Sequence, residues 1–489
     1  MNLSKSKYCQ AVQCKKILWL DKYKREVKEE IDNKSVLENG TNVGELAKRL
    51  FGKYVDIEYN SDLNKMISDT KEALKEKNTI ITEASFVYDN NFCSVDILKK
   101  ENDEYMMYEV KSSTHVSDIY LEDISYQYYV LTSLGMNVKK AFIIYINSDY
   151  VRNGDLELDK LFITKDVTEI VESKKREVEA NIKETKEFLS NKSEPNIDIG
   201  SHCFSPYDCP FFKYCSRNLP EKNVFDLKGL NLNKKVEFYN NGIVSYEDLI
   251  NSNLADKYKD VIDFELNGKK DKVNKKMIKN FLDTLSYPIY HLDFESYQEA
   301  IPSYDGIRPY MQIPFQYSLH IEDKNGNIEH KEFLASGTGD SRRELALKLI
   351  NDIPKNSCIL AYNMAFEKSI IKYLASIYDD LSEHLMNIYD NIKDLMVPFY
   401  KREYYTKEMQ GSYSIKYVLP ALFPNDPSLN YHNLDEIHNG SEAMNAFSTL
   451  SELTKEEQEK KRHNLLKYCE LDTYAMVKIY TKIKEVVGK

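Results

Sequence analysis

Three cysteines stand six residues apart in HCFSPYDCPFFKYC, residues 202–215: Cys203, Cys209 and Cys215. Two more, Cys9 and Cys14, lie in KYCQAVQCKKILWL near the N-terminus. If these thiols share one ligand, segments almost 200 residues apart must meet, so the pattern restricts the fold more than any other feature. The N-terminal stretch has no signal-peptide core, and no apolar run approaches the ~20 residues that a membrane helix needs. A cytoplasmic setting without membrane contact is therefore expected. There disulfides are disfavoured, and clustered cysteines point to metal or redox chemistry. C-x5-C-x5-C is not the paired C-x2-C of common zinc sites, although four thiolates suit zinc as well. Cys93, Cys358 and Cys469 sit in apolar runs and read as core thiols.

A chain of 489 residues is too long for one core, and 42% hydrophobic with 30% charged residues describes a globular protein of two or three domains. A net charge of −11 does not advertise nucleic acid, but binding depends on local patches more than on totals. One basic patch is NGKKDKVNKKMIKN, residues 267–280, although a charge run of this kind more often reads as a solvated helix or loop. The stretch LKGLNLNKKVEFYNNGIVSYEDL suggests two helices around a glycine turn, similar to a helix-hairpin-helix. The pattern divides the chain into residues 1–218, a helical linker over 219–285, and a second α/β domain over 286–489.

The first catalytic pattern is NFCSVDILKKENDEYMMYEVKSS. Two strand-like runs flank a polar turn, and folding about residues 102–103 sets Asp96 opposite Glu109. Alternation puts Glu109 and Lys111 on one face. Facing carboxylates repel, and a hard divalent cation such as Mg²⁺ or Mn²⁺ removes the conflict. It would polarise a phosphate and acidify a water, with Lys111 orienting that water or steadying charge on phosphorus. The alternative is an exposed, salt-bridged hairpin.

The second pattern has three parts. YPIYHLDFESY sets Asp293 and Glu295 two apart on a strand. LAYNMAFEKSIIKYLA leaves a strand and enters a helix bearing Asn363, Phe366 and Glu367. KYCELDTYAMVKIY places Tyr468 and Asp472 four apart on one helix face. Four carboxylates so arranged could hold two metal ions for in-line phosphodiester cleavage. Asp394, in NIKDLMVPFY, is a further carboxylate for the same neighbourhood.

The first region resembles the RecB-like branch of the PD-(D/E)xK nucleases, with Asp96 as its aspartate and Glu109 and Lys111 as its E-x-K. The resemblance implies a restriction-endonuclease-like fold and a role for Gln127 on the following helix. The family's Q-x-x-x-Y spacing is not met: Tyr128 follows Gln127 and Leu131 stands at the tyrosine position. The family's histidine is replaced by Gly44, leaving Glu45 as the corresponding metal ligand. Some RecB-like nucleases, including those associated with CRISPR adaptation, carry a [4Fe–4S] cluster on one N-terminal and three later cysteines. The resemblance thus implies Cys14, with Cys9 as the fallback, together with Cys203, Cys209 and Cys215.

The second region resembles the DEDD 3′–5′ exonucleases, whose fold is ribonuclease-H-like. It implies Asp293, Glu295, Glu367 and Asp472 as metal ligands and Tyr468 as the residue that positions water. Glu367 stands where the family has aspartate. The whole resembles a bacterial family fusing both nuclease types, and implies a metal-dependent deoxyribonuclease in end processing, repair or phage defence. A nucleic-acid-binding scaffold with one or both sites inert, and an RNA-directed exonuclease, are the other readings.

Overall fold

The computed structural model describes residues 3–30, 34–252, 258–269 and 271–488, with backbone alone for 34–39. The chain forms two compact units, residues 1–219 with 299–310, and residues 220–298 with 311–489. The stretch 220–285, set apart in the sequence as a linker, thus groups with the second unit, and 299–310 with the first. Both units mix helices and sheets, so the chain is a multidomain α/β protein. Among the described residues no helix is long and apolar enough to cross a membrane.

The first unit runs β1 (Leu3–Ser4), α1 (Lys5–Gln13), α2 (Lys15–Tyr23), α3 (Lys34–Lys48), β2 (Val55–Asp56), α4 (Leu63–Ala73), β3 (Asn78–Tyr88), β4 (Asn91–Glu101), β5 (Glu104–Lys111), α5 (Asp118–Ser133), β6 (Val138–Ile146), α6 (Leu158–Leu161), β7 (Phe162–Asp166), α7 (Thr168–Ser190) and α8 (Phe212–Cys215). Its sheet has the order β2-β3-β4-β5-β6-β7, with β1 added alongside β4. The tight turn between β3 and β4 falls on Asp89 and Asn90, both at positive φ, a conformation these short polar residues tolerate. β4 and β5 are antiparallel with Glu101 opposite Glu104, as the polar turn predicts. β5 and β6 are parallel, and α5 makes the crossover between them.

One face of this sheet buries Leu98 and Met107 against Leu18 and Leu20 of α2, Ile124 and Val130 of α5 and Val178 of α7. The other buries Ile97 and Tyr108 against Val43 and Leu46 of α3. Each such side chain contributes ~1.5–3 kcal/mol through burial. This double covering makes β4 and β5 rigid carriers for whatever their ends present.

The second unit runs α9 (Leu232–Asn240), α10 (Tyr246–Asn251), α11 (Lys259–Asn267), β8 (Asp271–Val273), α12 (Lys275–Leu282), β9 (Ile289–Tyr297), β10 (Ile313–Glu322), β11 (Ile328–Leu334), α13 (Arg342–Asp352), β12 (Cys358–Ala361), α14 (Ala365–Ile377), α15 (Asp379–Asn391), β13 (Ile392–Asp394), α16 (Val397–Tyr400), β14 (Tyr404–Thr406), α17 (Ile415–Leu422), α18 (Gly440–Ser448) and α19 (Lys455–Val487). The main sheet has the order β11-β10-β9-β12-β13. β9, β10 and β11 are antiparallel, whereas β12 and β13 run parallel to β9. Leu292, Leu319 and Ile359 of the sheet pack on Leu345, Ile371 and Leu385 of the covering helices. α19 starts at a capping box of Thr454 and Glu457 and ends at Gly488 with φ +78°. Its middle is pinned to β10, where Gln316 Nε2 donates to the Leu465 carbonyl at 2.9 Å and Ser318 Oγ meets Thr473 Oγ1 at 2.7 Å.

α9 and α10 flank Gly242, which takes the left-handed φ of +75° that the glycine turn requires. The lysine-rich run 267–280 is in good part the solvated helix expected, since α12 carries exposed lysines, and a short strand precedes that helix. That strand, β8, is paired with β14, which lies over 130 residues away in sequence. Lys269, Lys272 and Lys279 pair with Asp263, Asp260 and Asp283. Lys270 lies outside the described residues.

Candidate functional sites

Asp96 and Glu109 come together just beyond the paired part of the β4–β5 hairpin. Ile97 and Tyr108 are the last paired residues, and the Val110 amide N–H donates to Asp96 Oδ2 at 2.7 Å. Glu109 is 1% exposed. Lys111 Nζ donates to Glu109 Oε1 and to Asp123 Oδ2, each at 2.7 Å. Gln127 Nε2 donates to Glu109 Oε2 at 2.7 Å and to Asp123 Oδ1 at 3.0 Å. Asp123 and Gln127 are one turn apart on α5, so both reach the sheet from the same helix face.

Lys5, the first residue of α1, also enters this site. Its Nζ donates to Asp96 Oδ1 at 3.2 Å, to Glu109 Oε1 at 3.1 Å and to Glu109 Oε2 at 3.4 Å. Burial pushes the Glu109 carboxyl up to about 7, and the charges of Asp123 and Asp96 add to that. Burial acts on Asp123 in the same direction, but Lys111 and Lys5 outweigh it and hold that carboxyl well below its ordinary range. Glu83 belongs to the same electrostatic neighbourhood. It sits in β3 at φ +56°, where the pairing of β3 with β4 skips a step opposite Asp96. Burial, then Asp96, pushes its carboxyl up to about 7.

The other residues expected here lie differently. Glu45 is paired with Lys48 at 2.6 Å, and its side chain is 61% exposed. No contact among the described residues joins it to Asp96 or Glu109, so the expectation of Glu45 as a ligand finds no support in the geometry. A glutamate three residues before a lysine on a helix already has its partner. Tyr128 points to Glu172, with its hydroxyl 3.5 Å from Oε1.

Cys14, Cys203, Cys209 and Cys215 line one small cavity, together with Ile17, Leu20 and Phe211. Cys9 does not line it, but lies on the side of α1 that feels Asp123, Lys111 and Glu109. Gln13 Nε2 donates to the carbonyls of His202 at 2.8 Å and Tyr207 at 2.7 Å, which fixes the end of α1 to the cysteine-bearing segment. Burial pushes the thiols of Cys203 and Cys209 up to about 11 and 12. Cys14 and Cys215 are raised too, chiefly by burial, so all four thiols hold their protons until something displaces them.

In the second unit, Asp293 and Glu295 on β9 and Asp472 on α19 place ligand oxygens within 4.8 Å of one another. Burial drives all three carboxyls up. Asp472 and Glu295 add repulsion at Asp293, and Asp472 does so at Glu295. Asp472 itself reaches about 6, held back by hydrogen bonds from Tyr431 and Tyr468. The Tyr431 hydroxyl donates to Asp472 Oδ1 at 2.6 Å. Glu367, at the start of α14, is 2% exposed and its Oε2 has no hydrogen-bond partner. Burial pushes it up to about 8, with Asp394 adding to that. Asp394 itself accepts from the backbone amides of Asn363 and Met396 at 3.0 and 2.9 Å, so it props the turn into α14.

Beside this centre lies a cleft of about 830 Å³ lined by Lys416, Phe423, Tyr431, His432, His438 and Asn439, among others. Cys469, expected as a core thiol, is buried but also donates to Asp293 Oδ2 at 3.8 Å. Lys416 stands at the start of α17 and Tyr431 in a short turn after it, and no motif of the sequence marks either. Cys469 was visible, being three residues from Asp472 on one helix.

Residues 290–414 match a family model described as a domain of unknown function, DUF2779. The match takes in Asp293, Glu295 and Glu367 and stops short of Tyr468 and Asp472. The chain is also similar to a protein of Ureaplasma parvum serovar 3 that bears the name "Uncharacterized protein UU173". The two are 26% identical over 221 residues, which is 41% of this chain and 31% of that protein. The matched part of the chain thus spans about a third of that curated relative's length.

Proposed function

We propose that the chain is a metal-dependent nuclease that hydrolyses phosphodiester bonds in DNA. The observation that carries this reading is the convergence of Asp293, Glu295 and Asp472 within 4.8 Å, with their carboxyls driven towards the protonated state. Oxygen donors so placed suit Mg²⁺ or Mn²⁺. A bound ion supplies polarisation of the scissile phosphate and acidification of a water. Around it, Glu367 adds a fourth carboxylate, and Tyr468 positions the attacking water by its hydroxyl. The adjoining cleft is large enough for a nucleotide end. A central strand carrying Asp293 and Glu295, in the order β11-β10-β9-β12-β13, supports the ribonuclease-H-like reading.

The first unit is the second nuclease centre in this proposal, of the PD-(D/E)xK type. Asp96 and Glu109 hold the metal, Gln127 fixes the Glu109 carboxylate, and Lys111 steadies charge on phosphorus. The four thiols that line one cavity are the ligands of a [4Fe–4S] cluster, bound as thiolates. Bonds formed there only in the folded state would add to the stability of the first unit.

The test is digestion of end-labelled single-stranded DNA with Mg²⁺ or Mn²⁺, comparing the chain as it stands with Asp96→Ala and Asp293→Ala. Loss in either variant assigns hydrolysis to that unit, and partial loss in both means two working centres. No cleavage of DNA, with binding indifferent to EDTA, would sink the reading, and the same assay on RNA would separate the RNA-directed alternative. Iron and acid-labile sulfide in about equal amounts test the cluster.

A further inference from the structure

Lys5 has no reason of its own to stand where it does. It opens α1, which has no acidic residue in its first turn, and the N-terminal end of a helix repels a cation. β1 pairs in parallel with β4, Leu3 opposite Asn91, and the Tyr126 hydroxyl donates to the Leu3 carbonyl at 2.6 Å. Ser4 then caps the helix, accepting from the Lys7 amide at 3.3 Å. Leu3 and Ser4 are thus laid on the sheet so that the Lys5 ammonium falls between Asp96 and Glu109. Those are the two carboxylates that the first nuclease centre needs for its metal.

Lys111 does a different task. It spans Glu109 and Asp123 and makes no contact with Asp96 among the described residues. Lys48 is occupied by Glu45 and Asp56. Lys5 is therefore the cation that bridges the metal-holding pair. Its side chain keeps 26% of its surface exposed, which leaves an open side along which a metal could displace the ammonium.

We propose that Lys5 is the resident counter-ion of the first carboxylate site, and that a divalent cation enters only by exchange with it. The ammonium leaves with its proton and stays charged, and the metal takes over the two carboxylates. This inference rests on the reading that Asp96 and Glu109 take a divalent cation. It makes Lys5 a positioning residue that sets metal affinity.

The exchange predicts that removing Lys5 tightens metal binding. Mn²⁺ binding would be followed by electron paramagnetic resonance of the free ion, on the full chain carrying Asp293→Asn and Asp472→Asn to silence the second centre. Lys5→Met in that background should lower the Mn²⁺ dissociation constant about tenfold, one pair of opposed charges being worth ~1.4 kcal/mol or more in a partly buried site. The same variant should melt at a lower temperature in EDTA and recover in Mn²⁺, a crossover that a packing role would not produce. Lys5→Gln serves as the second variant should Lys5→Met fold poorly. Affinity unchanged or weakened by loss of Lys5, with binding still lost in Asp96→Asn, would overturn the exchange alone. No binding that depends on Asp96 in any variant would overturn the metal reading of this unit and the exchange with it.

Discussion

In the first unit, the carboxylates of Asp96, Glu109 and Asp123 receive two ammonium groups and a side-chain amide. In the second, those of Asp293, Glu295 and Asp472 are met by two phenol hydroxyls and a thiol, and the nearby Glu367 has an oxygen with no partner. Both groups are largely buried, so both must answer the same cost of crowding negative charge away from water. The first answers chiefly with the chain's own cations, although Glu109 is still pushed up to about 7, and the second answers with protons alone. A site balanced by lysines is stable as it stands and must give one up to admit a metal. A site balanced by protons is strained whenever it ionises, and that strain favours metal entry.

The largest effect should come from unbalancing the first site. Glu109→Ala leaves Lys5 and Lys111 facing a buried gap, and breaking such a pairing costs ~3–5 kcal/mol. Urea unfolding in EDTA would register it as an early transition. In the second unit the opposite sign is expected. Glu367→Gln removes a buried carboxyl with an unpartnered oxygen, so at pH 8 in EDTA it should stabilise by about 1 kcal/mol, and it should weaken Mn²⁺ binding. If both variants destabilise alike, the contrast between lysine-balanced and proton-balanced sites fails.

These residues were not equally legible. The β4–β5 hairpin and the juxtaposition of Asp96 and Glu109 just beyond its last pair follow from alternation around one polar turn, because strand periodicity is local. Asp293 with Glu295 was readable for the same reason, and Tyr468 with Asp472 from the equally local period of a helix. Lys5 was not. It reaches Asp96 across 91 residues of sequence, and nothing in LSKSKY marks it. Glu83 owes its place to a left-handed backbone inside β3, which no propensity foretells for glutamate. Asp123 could have been found, since it stands one turn before Gln127. Glu45 rested on the resemblance alone, and the structure shows it paired with Lys48. The strand β8 stayed hidden within a lysine run, because its pairing with β14 is a tertiary fact.

A pH titration sharpens the contrast further. Asp472 and Glu367 are raised to about 6 and 8, so in EDTA the folded second unit binds more protons than its unfolded chain. Its stability is full below the ordinary carboxyl range near pH 4 and falls as pH rises through 6 to 8. Saturating Mn²⁺ should flatten that fall, and the apparent Mn²⁺ affinity should rise over the same interval as protons give way to metal. In the first unit Asp123 is held low by lysines and loses its contribution only as the pH drops below the usual carboxyl range, whereas Glu109 and Glu83, pushed up to about 7, lose theirs as the pH rises. The first unit should therefore weaken on both sides and the second only on the alkaline side. Differential scanning calorimetry across this window, with and without Mn²⁺, would show whether the two transitions diverge.

The smallest expected effect concerns what the first unit has and the second lacks. Gln13→Ala removes the two hydrogen bonds that tie α1 to the carbonyls of His202 and Tyr207. In chelator-stripped protein those bonds hold the cysteine-bearing segment against the helix, so their loss should cost about 1 kcal/mol. With a cluster bound, Cys14 would be joined through metal to Cys203, Cys209 and Cys215, and the same two segments would be tied far more strongly. The variant should then be nearly silent in cluster-loaded protein and visible once iron is removed. An equal effect in both states would mean that the thiols add no tether, and that the cavity they line serves packing instead.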